Sequence, residues 1–139
     1  MTTRLPTALT PDQRRAIEWD CARLVALYAN LNDEARWAEV TALYAEDGAM
    51  SRPTAPDVFI QGRSAILDAF LARPPRKTRH VCSNVVIEVK SAETARGTSA
   101  MVLFTEGAPP IVGSFHDRFV LTADGWRFAE RRGSLTFAP

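Results

Sequence analysis

Proton transfer near neutral pH asks first for histidine, because no other unperturbed side chain changes charge between pH 5 and 8. The sequence has two, His80 and His116. His80 opens a strand-like run and shares its parity with Cys82 and Asn84. His116 lies in a second alternating run. There Gly113, Phe115, Asp117 and Phe119 share one face, and Ser114, His116 and Arg118 share the other. Two histidines on different parities do not suggest a metal site, which normally converges three or four ligands, so no metal is expected. Cys21 and Cys82 are too few for a disulfide framework, and no CxxC pair reads as a zinc or redox motif. Asp117 either pairs with an arginine or offers a polar group to a ligand. Arg73, Arg76, Lys77 and Arg79 form the one local charge cluster. It is a solvated loop, or it sits at a pocket rim and steers an anionic substrate.

These residues need a frame to hold them. Thr10-Pro11-Asp12-Gln13 reads as a capping box, with Thr10 at N-cap, Pro11 at N1 and Gln13 at N3. Behind it Ile17, Cys21, Leu24, Tyr28 and Leu31 recur at helical spacing, which predicts an amphipathic helix with Tyr28 on its apolar stripe. Asn32-Asp33 interrupts the pattern and can cap a second helix. That helix has Trp37, Val40 and Tyr44 as its buried stripe and ends at Glu46-Asp47-Gly48. A short strand over 49–51 and a loop holding Pro53 and Pro56 follow. Ile66, Leu67, Phe70 and Leu71 mark a third, short helix, stopped by Pro74-Pro75. The period then changes from about 3.6 to 2. Strands are expected over 79–89, 98–105, 111–121 and 126–137, with Asp124-Gly125 as a hairpin turn. Helices segregated from an antiparallel meander argue an α+β fold, the helices covering one face of a curved sheet. Val81, Val85, Ile87 and Val89 read as one apolar row, and both parities of 98–105 are largely apolar. Helices cover only one face, so the other apolar row needs a partner, most economically a second copy of the chain.

Composition sets the outer bounds. With 139 residues, 46% hydrophobic and 24% charged, the chain has the size and usage of one globular domain over 1–139. Lys and Arg total 17 against 16 Asp and Glu, without the basic excess of nucleic-acid or membrane-surface proteins. Residues 1–15 lack an apolar h-region, and no apolar run reaches membrane-spanning length, so a cytoplasmic domain is expected.

Six local sequences, in order, carry a resemblance to a known family. They are Tyr28-x4-Asp33-x3-Trp37, then Ala42-Leu43-Tyr44-Ala45-Glu46-Asp47-Gly48, Gly62-x3-Ile66, Arg79-His80-x3-Asn84, Gly113-x-Phe115-x-Asp117, and Asp124-Gly125-Trp126-Arg127-Phe128. Over residues 12–135 the chain resembles the SnoaL-like branch of the nuclear transport factor 2-like superfamily. That branch holds small polyketide cyclases, scytalone-type dehydratases, bile-acid dehydratases and dehydrochlorinases. The resemblance implies a cone, with the sheet curled around a pocket and helices closing its back. It also implies that His80 is a general base and that Asp33, ending the first helix, holds it. The carboxylate would accept the Nδ1 proton, fix the tautomer and raise the basicity of the ring. Tyr28 would donate a hydrogen bond to a carbonyl or leaving oxygen. Each also has a plain structural alternative, Asp33 as a helix cap, Tyr28 as a core aromatic and His80 as a strand end facing solvent. The same analogy lines the pocket with Trp37, Met50, Phe59, Phe70, Asn84, Phe104, Phe115 and Asp117, and turns His116 outward as an interface or surface residue.

Departures from the family pattern narrow the chemistry. Steroid isomerases of the superfamily carry a general-base Asp on the strand after the second helix, whereas Met50-Ser51-Arg52-Pro53 has no carboxylate. Scytalone-type dehydratases add a tyrosine on that stretch and a second pocket histidine, and neither is evident. The expected function is proton abstraction by an Asp33–His80 pair, without cofactor, from a ring or polyketide-like substrate in an apolar pocket. The outcome would be dehydration, isomerisation or cyclisation. The alternative is the same cone used as a non-catalytic ligand-binding or accessory module, similar to the β subunits of ring-hydroxylating dioxygenases. Expected partners are a small hydrophobic or aromatic molecule and, through the outer sheet face, further copies in a homodimer or homotrimer.

Overall fold

A computed structural model describes residues 8–137. The capping box forms: the Gln13 N–H donates to Thr10 Oγ1 at 3.1 Å and the Thr10 N–H to Gln13 Oε1 at 2.8 Å. It starts α1, Pro11–Asp33, whose apolar stripe buries Ile17, Cys21, Leu24, Val25 and Tyr28. The helix runs through Asn32-Asp33 and is stopped by Ala35, which adopts a left-handed φ of 56°. The N–H groups of Ala35 and Arg36 turn back to the carbonyls of Asn32 and Leu31 and satisfy the helix end. Asp33 therefore caps no second helix. That helix, α2, is only Trp37–Thr41, and its N-cap Arg36 makes no side-chain capping bond. The expected helix end at Glu46-Asp47-Gly48 is also displaced, because Tyr44–Arg52 forms strand β1, with Tyr44 fully buried.

Strand β2, Ala55–Gln61, occupies the stretch expected as a loop. Pro56 fits there because β2 is an edge strand, where a missing N–H costs no ladder bond. Helix α3 is Arg63–Leu71. The meander follows as β3 Thr78–Val89, β4 Thr94–Thr105, β5 Ile111–Thr122 and β6 Gly125–Leu135. Gly125, with φ 104°, supplies the left-handed residue that the β5–β6 turn requires. The six-stranded sheet has the order β2-β1-β6-β5-β4-β3. The β1–β6 pair is parallel and every other pair antiparallel. The fold is α+β with a mixed, unclosed sheet.

Residues directly opposite each other share a face, so the strand register sorts the sheet into two. One face carries the rows His80–Leu103–Ile111, Cys82–Met101–Gly113, Ile87–Gly97–Asp117–Arg131 and Ala95–Phe119–Phe128. The core around Tyr28, Tyr44, Phe70 and Phe128 packs against it. The opposite face carries Arg79–Phe104, Val81–Val102–Val112 and Val86–Thr98–His116–Arg132.

Two register shifts bend these rows. In β3 the shift lies between Ser83 and Val86, where Asn84 takes a left-handed φ of 53°. In β6, Ala129 is the extra residue between the Glu130–Arg118 and Phe128–Phe119 pairs. The row expected from Val81 to Val89 is therefore broken. Val81 is 48% exposed on the outer face, while Val85, Ile87 and Val89 pack on the core. A bulge adds one residue and so flips the parity of everything beyond it.

Candidate active site

Asp33 ends α1, so its carboxylate sits at the negative pole of the helix, a placement that costs about 0.3–1 kcal/mol. Three donors offset it. The His80 backbone N–H donates to Asp33 Oδ2 at 2.7 Å, Thr78 Oγ1 to Oδ1 at 2.9 Å, and His80 Nδ1 lies 2.6 Å from the same Oδ1. Hydrogen bonds to a charged group contribute about 1.5–3 kcal/mol each, which outweighs the dipole cost. Both side chains are largely buried, His80 at 12% exposure and Asp33 at 6%. With Nδ1–H donating to the carboxylate, Nε2 keeps its lone pair. Burial pushes the imidazole pKa below its ordinary value. The Asp33 bond and charge oppose that shift, and the charges of Arg131 and Arg76 reinforce it. A neutral imidazole with a free Nε2 at neutral pH is a base ready to accept a proton.

His80 forms part of the wall of a narrow inner cleft of about 70 Å³. Tyr28 and Asn32 of α1, Met50 and Arg52 of β1, Phe70 of α3, Met101 and Leu103 of β4, Phe115 of β5 and Arg131 of β6 are among the other residues that line it. The cleft opens into an outer trough of about 450 Å³, with which it shares Arg52, Pro53, Arg73, Arg76, Met101 and Leu103. Pockets that take drug-sized molecules span about 300–1,000 Å³.

Two further polar groups stand at the inner end. Tyr28 OH lies 2.9 Å from Tyr44 OH and 3.5 Å from Met50 Sδ. Burial raises both phenol pKa values, so both are neutral hydroxyls at physiological pH. Arg131 is 1% exposed. Its Nε donates to Asp117 Oδ1 at 3.1 Å, and its guanidinium lies 3.8 Å from the Phe115 ring centroid and 4.4 Å from that of Tyr28. Among the described residues, neither Nη of Arg131 nor Asp117 Oδ2 has a hydrogen-bond partner. Burial pushes the Asp117 carboxyl up to about 6, with Arg131 restraining the rise.

The structure thus brings His80 and Asp33 into contact and sets Tyr28, Met50, Phe70 and Phe115 in the same wall. Five of the expected lining residues lie elsewhere. Trp37 stacks behind Phe70, centroids 5.0 Å apart, and shapes the cleft without facing it. Phe59 is exposed on edge strand β2, and Phe104 is exposed on the outer sheet face opposite Arg79. Asn84 is spent on the β3 bulge. Asp117 lies beneath Arg131 as an ion pair. His116 is exposed on the outer face, 3.1 Å from Ser134 Oγ. Arg131 and Arg52 are the residues that sequence reasoning missed. Strict alternation from Trp126 and Phe128 points Glu130 inward, and only the extra residue at Ala129 turns Arg131 there instead. Among the described residues, no three His, Cys, Asp or Glu side chains converge as metal ligands.

A family model described as a SnoaL-like domain matches residues 13–132, and the chain belongs to that family. No curated protein matches it. Among solved structures it is similar to a candidate scytalone dehydratase from Novosphingobium aromaticivorans, at 23% identity and TM-score 0.81 over 92% of this chain and 89% of that one. A hexachlorocyclohexane dehydrochlorinase (LinA type 2) is 16% identical with TM-score 0.80, covering 92% and 90%. The β subunit of a candidate aromatic-ring-hydroxylating dioxygenase from N. aromaticivorans is 16% identical with TM-score 0.76, covering 91% and 93%. These likenesses establish the shared architecture, called NTF2-like and cystatin-like in another relative.

Proposed function

We propose that the chain is a cofactor-independent enzyme that abstracts a carbon-bound proton from a ring or polyketide-like substrate and completes an elimination. His80 Nε2 takes the proton. The C–H electron pair becomes the new C=C bond, and the bond to a leaving hydroxyl breaks. The imidazolium returns its proton to that hydroxyl, which departs as water and leaves the base neutral. Asp33 holds the tautomer and stabilises the imidazolium. Tyr28 donates a hydrogen bond to a substrate oxygen, and Arg131 offers positive charge where negative charge develops. Isomerisation and cyclisation begin with the same abstraction and use the same groups.

The observation that carries this reading is the 2.6 Å contact of His80 Nδ1 with Asp33 in the wall of a cleft. A test needs no knowledge of the leaving group. The protein is incubated in D2O with a panel of ring ketones such as 2-tetralone, and deuterium uptake at the α-carbon is followed by NMR. The wild type should exceed His80→Gln by about 10²–10⁴-fold. Equal uptake by the two proteins across the panel rejects the reading.

For assembly, we propose that the outer sheet face joins copies of the chain, since Val81, Val86 and Phe104 are 48%, 64% and 47% exposed there. Light scattering should give a dimer or trimer for the wild type and a monomer for Val86→Lys. A monomeric wild type rejects the assembly.

A further inference from the structure

At the throat between cleft and trough, three guanidinium groups stand among the shared residues, beside Pro53, Met101 and Leu103. Arg52 comes from β1, while Arg73 and Arg76 flank Pro74-Pro75 in the segment between α3 and β3, and all three line both spaces. Among the described residues, no carboxylate lines either space and no ion pair engages any of the three. The nearby carboxylates are committed, Asp33 to His80 and Asp117 to Arg131. Among the described residues Arg52 Nε is buried without a partner, and the guanidinium's one hydrogen bond is a long 3.4 Å bond from Nη2 to the Ala69 carbonyl. Arg73 lies over the Phe70 ring at 4.8 Å. Burial and the neighbouring charges of Arg52 and Arg76 push its pKa down to about 10. Clustered like charges of this kind cost free energy unless an anion sits among them. A planar fork of N–H donors matches the oxygens of a carboxylate or phosphate two at a time.

We infer that the substrate carries a compact oxyanion, a carboxylate or a phosphate ester, which Arg52, Arg73 and Arg76 grip at the throat while its apolar ring reaches into the cleft toward His80. This deepens the proposed function by naming the class of substrate, and it rests on that reading only for the direction in which the ring points. The outcome bears on Arg73 and Arg76, two members of the charge cluster that also reads as a solvated loop. Lys77 and Arg79 remain exposed and away from the throat.

Isothermal titration with 2-naphthoate, 2-naphthyl phosphate and the uncharged methyl 2-naphthoate tests the grip without turnover. At least one anion should bind about tenfold or more tightly than the ester, and added NaCl should erode that preference. Whichever anion binds tighter names the headgroup. Arg73→Gln/Arg76→Gln should bring anion and ester to parity. Exposed Arg76→Gln alone should weaken anion binding about threefold without disturbing the fold. His80→Gln should keep the full preference. An intact preference with no deuterium uptake therefore rejects catalysis alone, and uptake without a preference rejects the grip alone. The inference is overturned if the ester binds as well as both anions, if the preference survives the double variant, or if no probe binds.

Discussion

Asp33 holds His80 twice, taking the ring through Nδ1 at 2.6 Å and the main chain through the backbone N–H at 2.7 Å. One carboxylate thus fixes both the position of the strand end and the rotamer of the imidazole on it. Asp33→Asn keeps the shape but removes the charge that stabilises an imidazolium. Deuterium uptake should fall on the order of 10²-fold or more, and the His80 pKa, measured by NMR titration, should drop further. Asp33→Ala also leaves buried donors unpaired and should cost about 1–3 kcal/mol in urea denaturation.

The pH dependence has a defined sign. The folded-state pKa of His80 lies below the unfolded value of about 6.5, so the unfolded chain binds the extra proton first. Stability from this group is complete above about pH 6.5 and is lost as pH falls through the folded pKa. Deuterium uptake should follow the same limb, rising to a plateau whose midpoint lies below 6.5. Asp117 works in the opposite sense. Raised from 3.8 to about 6, its contribution is complete below pH 3.8 and is lost as pH rises through about 6. Urea midpoints measured across pH for the wild type and His80→Gln should diverge only on the acid side of 6.5. Parallel curves contradict the assignment.

The Asp117–Arg131 pair is 1% exposed on both sides, so breaking it strands a buried charge. Asp117→Asn leaves the Arg131 guanidinium buried without a counter-charge, so it should be less stable than Asp117→Leu/Arg131→Met, which removes both charges. If urea denaturation shows the single and double variants equally damaged, packing and not charge governs the site. The double variant should still lose deuterium uptake.

Asn84 gives the β3 bulge its left-handed residue. Asn84→Gly should leave stability within a few tenths of a kcal/mol. Asn84→Val should cost about 1–2 kcal/mol and lower deuterium uptake, because a straightened strand turns His80 away from Asp33. A Val variant with normal uptake would show that the Asp33 contacts alone position the ring.

These bulges also mark where the sequence was legible. The α1 cap was readable because Thr10 and Gln13 satisfy each other within one turn. The four meander strands were readable because alternation is local. His80 stood out by residue type, whereas Asp33 and Tyr28 were singled out only through the family resemblance. Phe104 was misplaced because both faces of β4 are apolar and nothing there separates inside from outside, whereas Arg131 was missed and Asn84 misplaced for a different reason. A single added residue in β3 and another in β6 exchange inside for outside, and nothing in the local alternation announces either. Strand β2 was hidden by Pro56, which an edge tolerates. Arg52 was missed because its burial depends on α3, which offers the Ala69 carbonyl.

The last strand of the sheet lies in its middle. β6 is bonded to β1 on one side and β5 on the other, and it supplies Arg131 to a cleft whose Asp33–His80 pair hangs from α1 and β3. During synthesis the β1–β2 pair and the β3–β5 meander emerge first, with no ladder between them. Until residues 125–135 leave the ribosome, the two halves cannot register and the cleft has no floor. Folding of this chain therefore waits on long-range closure, which slows it and leaves two sheet edges open in the nascent protein.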